Sequence, residues 1–435
     1  MNASDTLASP LDWILDFDPE ALDERQLAQA KRCLLDTLGV AAGASRTPLA
    51  GHARRYVVSQ HGGNQPLLFA SGTASATGVA LHGAWMIDAL DAHDGQVLTK
   101  GHCGVALVPA LLALPEMKRL SGRAFLGLLA LGYEVATRAG IALHASACDY
   151  HTSGAWNALG VAAVIGKLLR LDRQQLHEAL GIAEFYGPRS QMMRCIDHPT
   201  MVKDGSGWGA QAGVAAALLA QDGFTGAPAV TVTGAECAPH WADLGQRWYL
   251  FEQYVKEYPV CRWAQPAVEA VLTLMADGIA PEAVERITVT TFHEAKRLHV
   301  SQPTTTEQAQ YSLPWAVACA VAYGTVDVHG VTGALGEPQV QALAQRVALA
   351  ESDDFNARFP AERWARVSLQ LSDGSQRHSR DCQARGNPDA PFSDDELARK
   401  FHALAVPAIG QARAAHIHAL VMALEKHDAK ELLEI

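Results

Sequence analysis

Seven stretches between residues 21 and 222 carry apolar side chains at helical spacing and are joined by short Gly-, Pro- and Asp-containing connections. In residues 21–43, Leu22, Leu27, Ala30, Cys33, Leu34, Thr37 and Leu38 recur three or four positions apart, and Gly39 and Gly43 read as the stop. The same periodicity returns over 74–91, 105–118, 123–143, 155–170, 173–183 and 207–222. Each such segment must bury its apolar stripe against another, so the first 260 residues are expected to pack helix on helix.

The texture changes after Pro266. RITVTTF (286–292) gathers β-branched residues, and RVSLQLSDGSQRHSRD (366–381) alternates Val367, Leu369 and Leu371 before Asp373-Gly374, a hairpin turn pair. Helix resumes at PFSDDELARKF (391–401), where Ser393 and Glu396 form a capping box. With 435 residues the chain exceeds one compact core. The expected fold is mainly α with a smaller α+β domain: a helical domain of residues 1–263 and 393–435, and an α+β lid of 264–392. The sequence alone leaves open which of the two domains the C-terminal helices complete.

Composition narrows the partners. Hydrophobic residues make up 49% and charged residues 19%, a globular balance, and the net charge of −11 comes without any cluster of Lys or Arg. Nucleic acid and anionic membranes are therefore poor partners. The N-terminus lacks the basic start and apolar run of a signal peptide, and apolar stretches such as 105–114 are too short to span a bilayer, so a cytoplasmic location is expected. Of the eight cysteines, the closest pair, Cys237 and Cys261, is 24 residues apart, which excludes CxxC metal knuckles.

Helix packing has no use for four glycine-flanked segments: LDAHDG (90–95), GHCG (101–104), YHTSG (150–154) and VKDGSGWG (202–209). Asp91 is expected in the last turn of a helix, where the dipole disfavours a carboxylate and a cationic neighbour is wanted; Asp88 reads as an ordinary surface acid. His102 and His151 each stand just before an apolar helix, whose free N–H groups favour an anion. Lys203 lies among Gly205, Gly207 and Gly209 beside Trp208, and can pair with a substrate carboxylate or move a proton. KEYPVCRWAQPAVEA (256–270) crosses the domain junction with Lys256, Arg262 and Gln265; Arg262 suits a bidentate carboxylate clamp, whereas Cys261 reads as a packing thiol.

Assembled in this order, the segments resemble the MmgE/PrpD family, which includes 2-methylcitrate dehydratase, cis-aconitate decarboxylase and iminodisuccinate epimerase. LLDTLGVAAGA, LDAHDG…GHCGVALVPALLAL, LGYEVATR, YHTSGAWNALGVAAVIGKLLRLD, VKDGSGWGAQAGVAAALLAQDGFTG, KEYPVCRWAQPA, AQYSLPWAVACAVAYG and DAPFSDDELARKF carry the likeness nearly end to end. The resemblance implies a large helical domain with a smaller lid, a homodimer, a site between domains and no cofactor or metal. It places the catalytic positions on Asp91, His102, His151 and Lys203, while His93, Lys256, Arg262, Gln265 and Tyr311 complete the substrate-binding set. The chain departs from the family at Ala92-His93, Gly95, Ser206 and Gln265, the last two being positions where the family commonly has histidine.

The expected activity is a cofactor-free lyase acting on a small di- or tricarboxylate, 2-methylcitrate- or cis-aconitate-like, through a carbanion-like intermediate. His151 is the first choice of general base or acid, with Asp91 as its partner or as the second proton carrier. A dicarboxylate epimerase is the alternative within the same chemistry. From other classes, His82, His93-Asp94, His102 and His151 allow an HD-type metal-dependent phosphohydrolase, and an inactive helical binding protein is a third reading.

Overall fold

The computed structural model describes residues 9–435; the first eight residues, part of the expected helical domain and of the N-terminal leader reading, lie outside it. Helices Glu24–Ala44, Ala76–Asp88, Gly104–Leu112, Gly122–Ser146, Gly154–Leu168, Arg173–Tyr186 and Ser206–Gln221 form the first layer of packing. Asp23 and Asp172 start two of them with reciprocal capping boxes to Gln26 and Gln175, satisfying N–H groups that no helical carbonyl reaches.

Two sequence expectations change here. Helix Glu24–Ala44 runs straight through Gly39 and Gly43, because these glycines make room rather than a stop. A Cβ on Gly39 would stand 2.9 Å from Phe401 Cδ2, and one on Gly43 would stand 3.2 Å from Leu90 Cδ1. The helix beginning at Ala76 ends at Asp88, so Asp91 lies beyond it and not in its last turn. The Asp91 N–H still bonds the Asp88 carbonyl at 3.0 Å, but its φ of 51° turns the chain out of helix.

The C-terminal helix Asp394–Ile409 packs along Glu24–Ala44, and Leu397, Phe401, Ala405, Ile417 and Leu420 belong to the same apolar core as the seven helices named above. Inside that seam Lys400 bonds Asp36 Oδ1 at 2.5 Å and the Ala92 carbonyl at 2.7 Å, tying the C-terminus to the loop that carries Asp91. Helix Gly122–Ser146 is long and apolar enough to cross a membrane, yet its apolar window is almost wholly covered by neighbouring helices.

A second core spans Tyr258 to Cys382 and recruits Met192, Cys195 and Ile196 from the short helix Met192–Asp197. Its sheet runs Val347–Glu351, Val284–Thr291, Ala365–Leu371, Gln376–His378, with the first pair parallel and the others antiparallel. The last two strands flank Asp373-Gly374, whose glycine takes φ 83°, a conformation that L residues rarely adopt. Buried Val367, Leu369 and Leu371 project onto helix Gln265–Met275, as their alternation requires.

Candidate active site

The loop following Ala76–Asp88 is held by the chain that leads into the lid. Gly95 and Gln96 pair antiparallel with Tyr254 and Gln253, which delivers Lys256 beside Asp91. No side chain fits at Gly95, where a Cβ would lie 2.5 Å from the Tyr254 hydroxyl and 2.8 Å from His102 Nδ1. Asp91 and Lys203 both take left-handed backbone, with φ of 51° and 49°, so each is aimed by a conformation unusual for a residue with a side chain.

Lys256 Nζ bonds Asp91 twice, at 2.6 Å to Oδ1 and 2.7 Å to the main-chain carbonyl, and both residues are buried. Lys203 Nζ donates to Gln310 Oε1 at 2.6 Å and sits 4.9 Å from the Tyr311 ring centre; Gln310 is itself fixed through Nε2 to the Ala89 carbonyl at 2.9 Å. The His93 and His102 rings lie 4.3 Å apart, and His93 Nε2 stands 3.3 Å from Asp88 Oδ1. His102 Nδ1 bonds the Asp94 carbonyl, which assigns its proton to Nδ1 and leaves the Nε2 lone pair free. The His102 main-chain N–H donates to Ser153 Oγ at 2.9 Å, and Ser153 Oγ donates in turn to Asp204.

Burial sets the protonation states. It pushes the His93 imidazole well below its ordinary range, reinforced by the Lys256 ammonium, and does the same to His102 with help from His93 and Lys256. Burial alone would raise Asp91, but the ammonium groups of Lys256 and Lys203 outweigh it and hold the carboxyl down at about 2. Asp88 is pushed up to about 7 and Asp204 to about 8, mainly by burial, and for Asp204 also by the nearby Asp88 charge. The site thus combines two neutral imidazoles, one fixed carboxylate, two amines and carboxyls able to carry a proton near neutrality.

Both Asp88 oxygens, Asp91 Oδ2 and both His93 ring nitrogens are buried without a hydrogen bond among the described residues. Orphaned polar atoms at this density cost stability and mark a place that a ligand completes. Asp91, His93 and His102 each offer one atom within 4.8 Å of the others, a two-histidine, one-carboxylate donor set able to hold a divalent cation. Neither His82 nor His151 joins that group. The charge around it is that of an anion site: Lys256 already occupies Asp91 Oδ1, and a dication there would be repelled by about 8 kcal/mol per ammonium at a spacing of 4 Å and an effective dielectric of 20.

His151, Arg262 and Gln265, also expected at the site, make their contacts elsewhere. His151 is half-buried; its Nδ1 meets the Asp149 carbonyl at 2.9 Å and its ring stacks on His144 at 6.4 Å, so none of these contacts reaches Asp91, His93, His102 or Lys203. Its neighbour Ser153 makes the link to His102 instead. Arg262 bonds the Val255 and Arg385 carbonyls at 3.2 and 2.9 Å through Nη1 and Asn387 Oδ1 at 2.5 Å through Nη2, all away from the Asp91 cluster. Gln265 bonds the Tyr258 and Val260 carbonyls at 3.0 and 3.1 Å, so both residues shape the segment that follows Lys256. Tyr311 is buried under Lys203, and Ser206, at the start of helix Ser206–Gln221, has an unbonded buried hydroxyl.

Sequence reasoning missed Asp88, Asp204 and Gln310. Asp204 and Gln310 adjoin Lys203 and Tyr311 in motifs already singled out, which was the available signal. A cleft of ≈ 560 Å³ opens at Lys203 and is walled by Trp85, Trp208, Arg194 and Cys195, with the two indoles edge to face at 5.8 Å.

The MmgE/PrpD N-terminal domain matches residues 11–238, and the MmgE/PrpD C-terminal domain matches residues 258–426. The chain belongs to the MmgE/PrpD family. The cis-aconitate decarboxylase-like protein oryM of Aspergillus oryzae is 24% identical over 97% of this chain and 95% of its own length. A cis-aconitate decarboxylase of Aspergillus terreus is 23% identical over 97% and 94%, and that of Homo sapiens is 26% identical over 88% and 84%. Membership of the MmgE/PrpD family supports an enzyme of the dehydratase or decarboxylase type and leaves the phosphohydrolase and inactive-protein readings without support. The family's C-terminal match continues into helix Asp394–Ile409, whose apolar face belongs to the helical core.

Proposed function

We propose that this protein is a cofactor-independent lyase of a small di- or tricarboxylate, acting by dehydration or decarboxylation through a carbanion-like intermediate. The observation that carries the reading is the cluster of Lys203, Lys256, His93, His102 and Asp91, buried and left with unbonded polar atoms. Substrate enters along the Trp85 and Trp208 cleft, and Lys203 at its floor takes one carboxylate. The two ammonium groups stabilise negative charge that develops at the adjacent carbon, in a space where water does not screen them.

His102 Nε2 is the base, in place of His151, because its lone pair is free and its ring is fixed from the other side by Asp94. In a dehydration the proton goes from carbon to His102 and the β-hydroxyl leaves with a proton from a neutral acid. In a decarboxylation the C–C bond electrons stay on the substrate carbon as CO₂ departs, and the same acid supplies the proton. The Tyr311 phenol, kept protonated chiefly by burial, is a second donor beside Lys203. The protein is further proposed to work as a homodimer in the cytoplasm.

The test is a panel of citrate-, aconitate- and aspartate-like acids in deuterated water, followed by NMR. Loss of water or CO₂ from a di- or tricarboxylate is expected. Solvent deuterium entering carbon without net conversion points to an epimerase instead, and no change in any acid refutes both.

A further inference from the structure

Arg262 leads away from the Asp91 cluster to a second place. At the junction of the lid and the helical domain a cavity of ≈ 220 Å³ is lined by Arg262, Arg363, Val97, Asn387, Glu362 and Asp389, among others. Arg262 is 4% exposed and Arg363 is 7% exposed. Both guanidinium groups lie against the ring of Tyr254, at 4.5 and 5.8 Å from its centre.

Among the described residues neither guanidinium meets a carboxylate. Arg262 bonds only carbonyl and amide oxygens, those of Val255, Gln265, Arg385 and Asn387. Arg363 makes a single long bond, 3.4 Å to the Val97 carbonyl, and its Nε is buried with no partner. The two acids at the rim are exposed, and Glu362 is engaged by the Trp364 indole N–H at 2.6 Å. Two buried cations facing one small cavity, with no carboxylate bonded to either and Glu269 acting on Arg262 only at longer range, form an arrangement that burial penalises unless an anion completes it. The planar fork of each guanidinium matches a carboxylate or phosphate edge.

We propose that this pocket binds one oxyanion, a carboxylate or a phosphate group, clamped between Arg262 and Arg363 above Tyr254. The pocket adjoins the candidate active site through that tyrosine, which pairs with Gly95 and whose hydroxyl points to the same spot as His102 Nδ1. An anion that locks Tyr254 therefore fixes the turn on which His102 rests. The inference stands on the two arginines and does not depend on which reaction the Asp91 cluster performs.

Calorimetric titration with inorganic phosphate at low ionic strength tests it on the wild-type protein, Arg363→Gln and Lys203→Gln. Wild type and Lys203→Gln are expected to bind one phosphate alike, and Arg363→Gln about 10- to 150-fold more weakly, the range for losing a charged hydrogen-bond partner. If Arg363→Gln does not fold, Arg363→Lys takes its place and is expected to bind more weakly than wild type. Citrate titrated in competition separates the sources: competition lost with Arg363 but retained with Lys203→Gln assigns the pocket to a carboxylate of a small acid, and no competition assigns it to free phosphate. Absence of phosphate binding to wild type, or equal binding by the Arg363 variant, overturns the proposal.

Discussion

Replacing Lys256 with Met keeps most of the stem's volume but removes the ammonium that bonds Asp91 Oδ1 and the Asp91 carbonyl at 2.6 and 2.7 Å. Both residues are buried, so the change strands a carboxylate, and breaking a buried pair from one side costs about 3–5 kcal/mol. The Lys203 ammonium still acts on Asp91, which puts the expected loss near the lower end. Adding Asp91→Asn removes the stranded charge, and the double variant should recover at least about 1 kcal/mol of it. The acid limb gives an independent measure. Asp91 is held at about 2 against an ordinary 3.8, a preference for the charged form that contributes about 2 kcal/mol. Because the folded value is the depressed one, that contribution is present above the unfolded value and is lost as pH falls from about 5 to about 2. Urea midpoints from pH 7 down to pH 3 should show the loss beginning in wild type and not in Asp91→Asn. A Lys256→Met protein within 1 kcal/mol of wild type at pH 7, with equal acid slopes for Asp91→Asn and wild type, would refute the assignment of this pair as the site's electrostatic anchor.

Asp94, whose Oδ2 accepts from the Tyr133 hydroxyl, is pushed up to about 7 chiefly by burial; a folded acid with a raised value loses stability as pH rises from about 4 through 7, so Asp94→Asn should flatten urea midpoints over that window. His102→Asn keeps a polar group of similar reach but no lone-pair base, and is expected to lower kcat about 10²- to 10⁴-fold on whichever acid is turned over, with an unchanged urea midpoint. Phe401→Ala empties the seat against Gly39 and should cost about 3–5 kcal/mol in urea unfolding, without altering KM.

The helical half was legible because an apolar stripe at 3.6-residue spacing admits few other structures, and the hairpin at Asp373-Gly374 because its turn needs a positive φ. Local patterns were misleading where distant packing decides. Gly39 and Gly43 look like stops until Phe401 and Leu90 arrive to fill the space beside them. Asp88 has the spacing of a solvated helix acid, yet it is buried beside His93, Lys203 and Ser206, which lie far from it in sequence or past the end of its helix. Asp91, His93, His102 and Lys203 were recognisable because each sits beside glycines where regular structure breaks, Lys256 because it stands at the domain junction, and Tyr311 only through the resemblance to the MmgE/PrpD family. Arg262 and Gln265 were recognisable as polar residues at a junction, but sequence cannot tell a side chain that bonds its own loop from one that faces a ligand. His151 has the same helix-leading position as His102, and its different destination follows from the Asp149 carbonyl and His144, neither of which the motif contains.

The charges that bind the proposed substrate also set the pH range in which the site can work. Ordinary histidines would protonate in mildly acidic solution and cease to be bases. Here burial and the Lys256 ammonium keep His93 and His102 neutral well below their usual range, so acid does not switch off the base until the pH is far lower. The alkaline limit comes from the acids. Asp88 and Asp204, raised to about 7 and about 8, carry protons in mildly acidic solution and give them up between about pH 7 and 8, the Asp88 charge delaying the release from Asp204. On the proposed chemistry kcat should therefore stay level through mildly acidic solution, begin to fall as pH approaches about 7 and go on falling through about 8, and Asp88→Asn, which removes the companion charge, should move that fall. A profile that instead falls in mildly acidic solution with a single imidazole-like step would show that the working base is not one of the two buried imidazoles, and would take the general-base role away from His102.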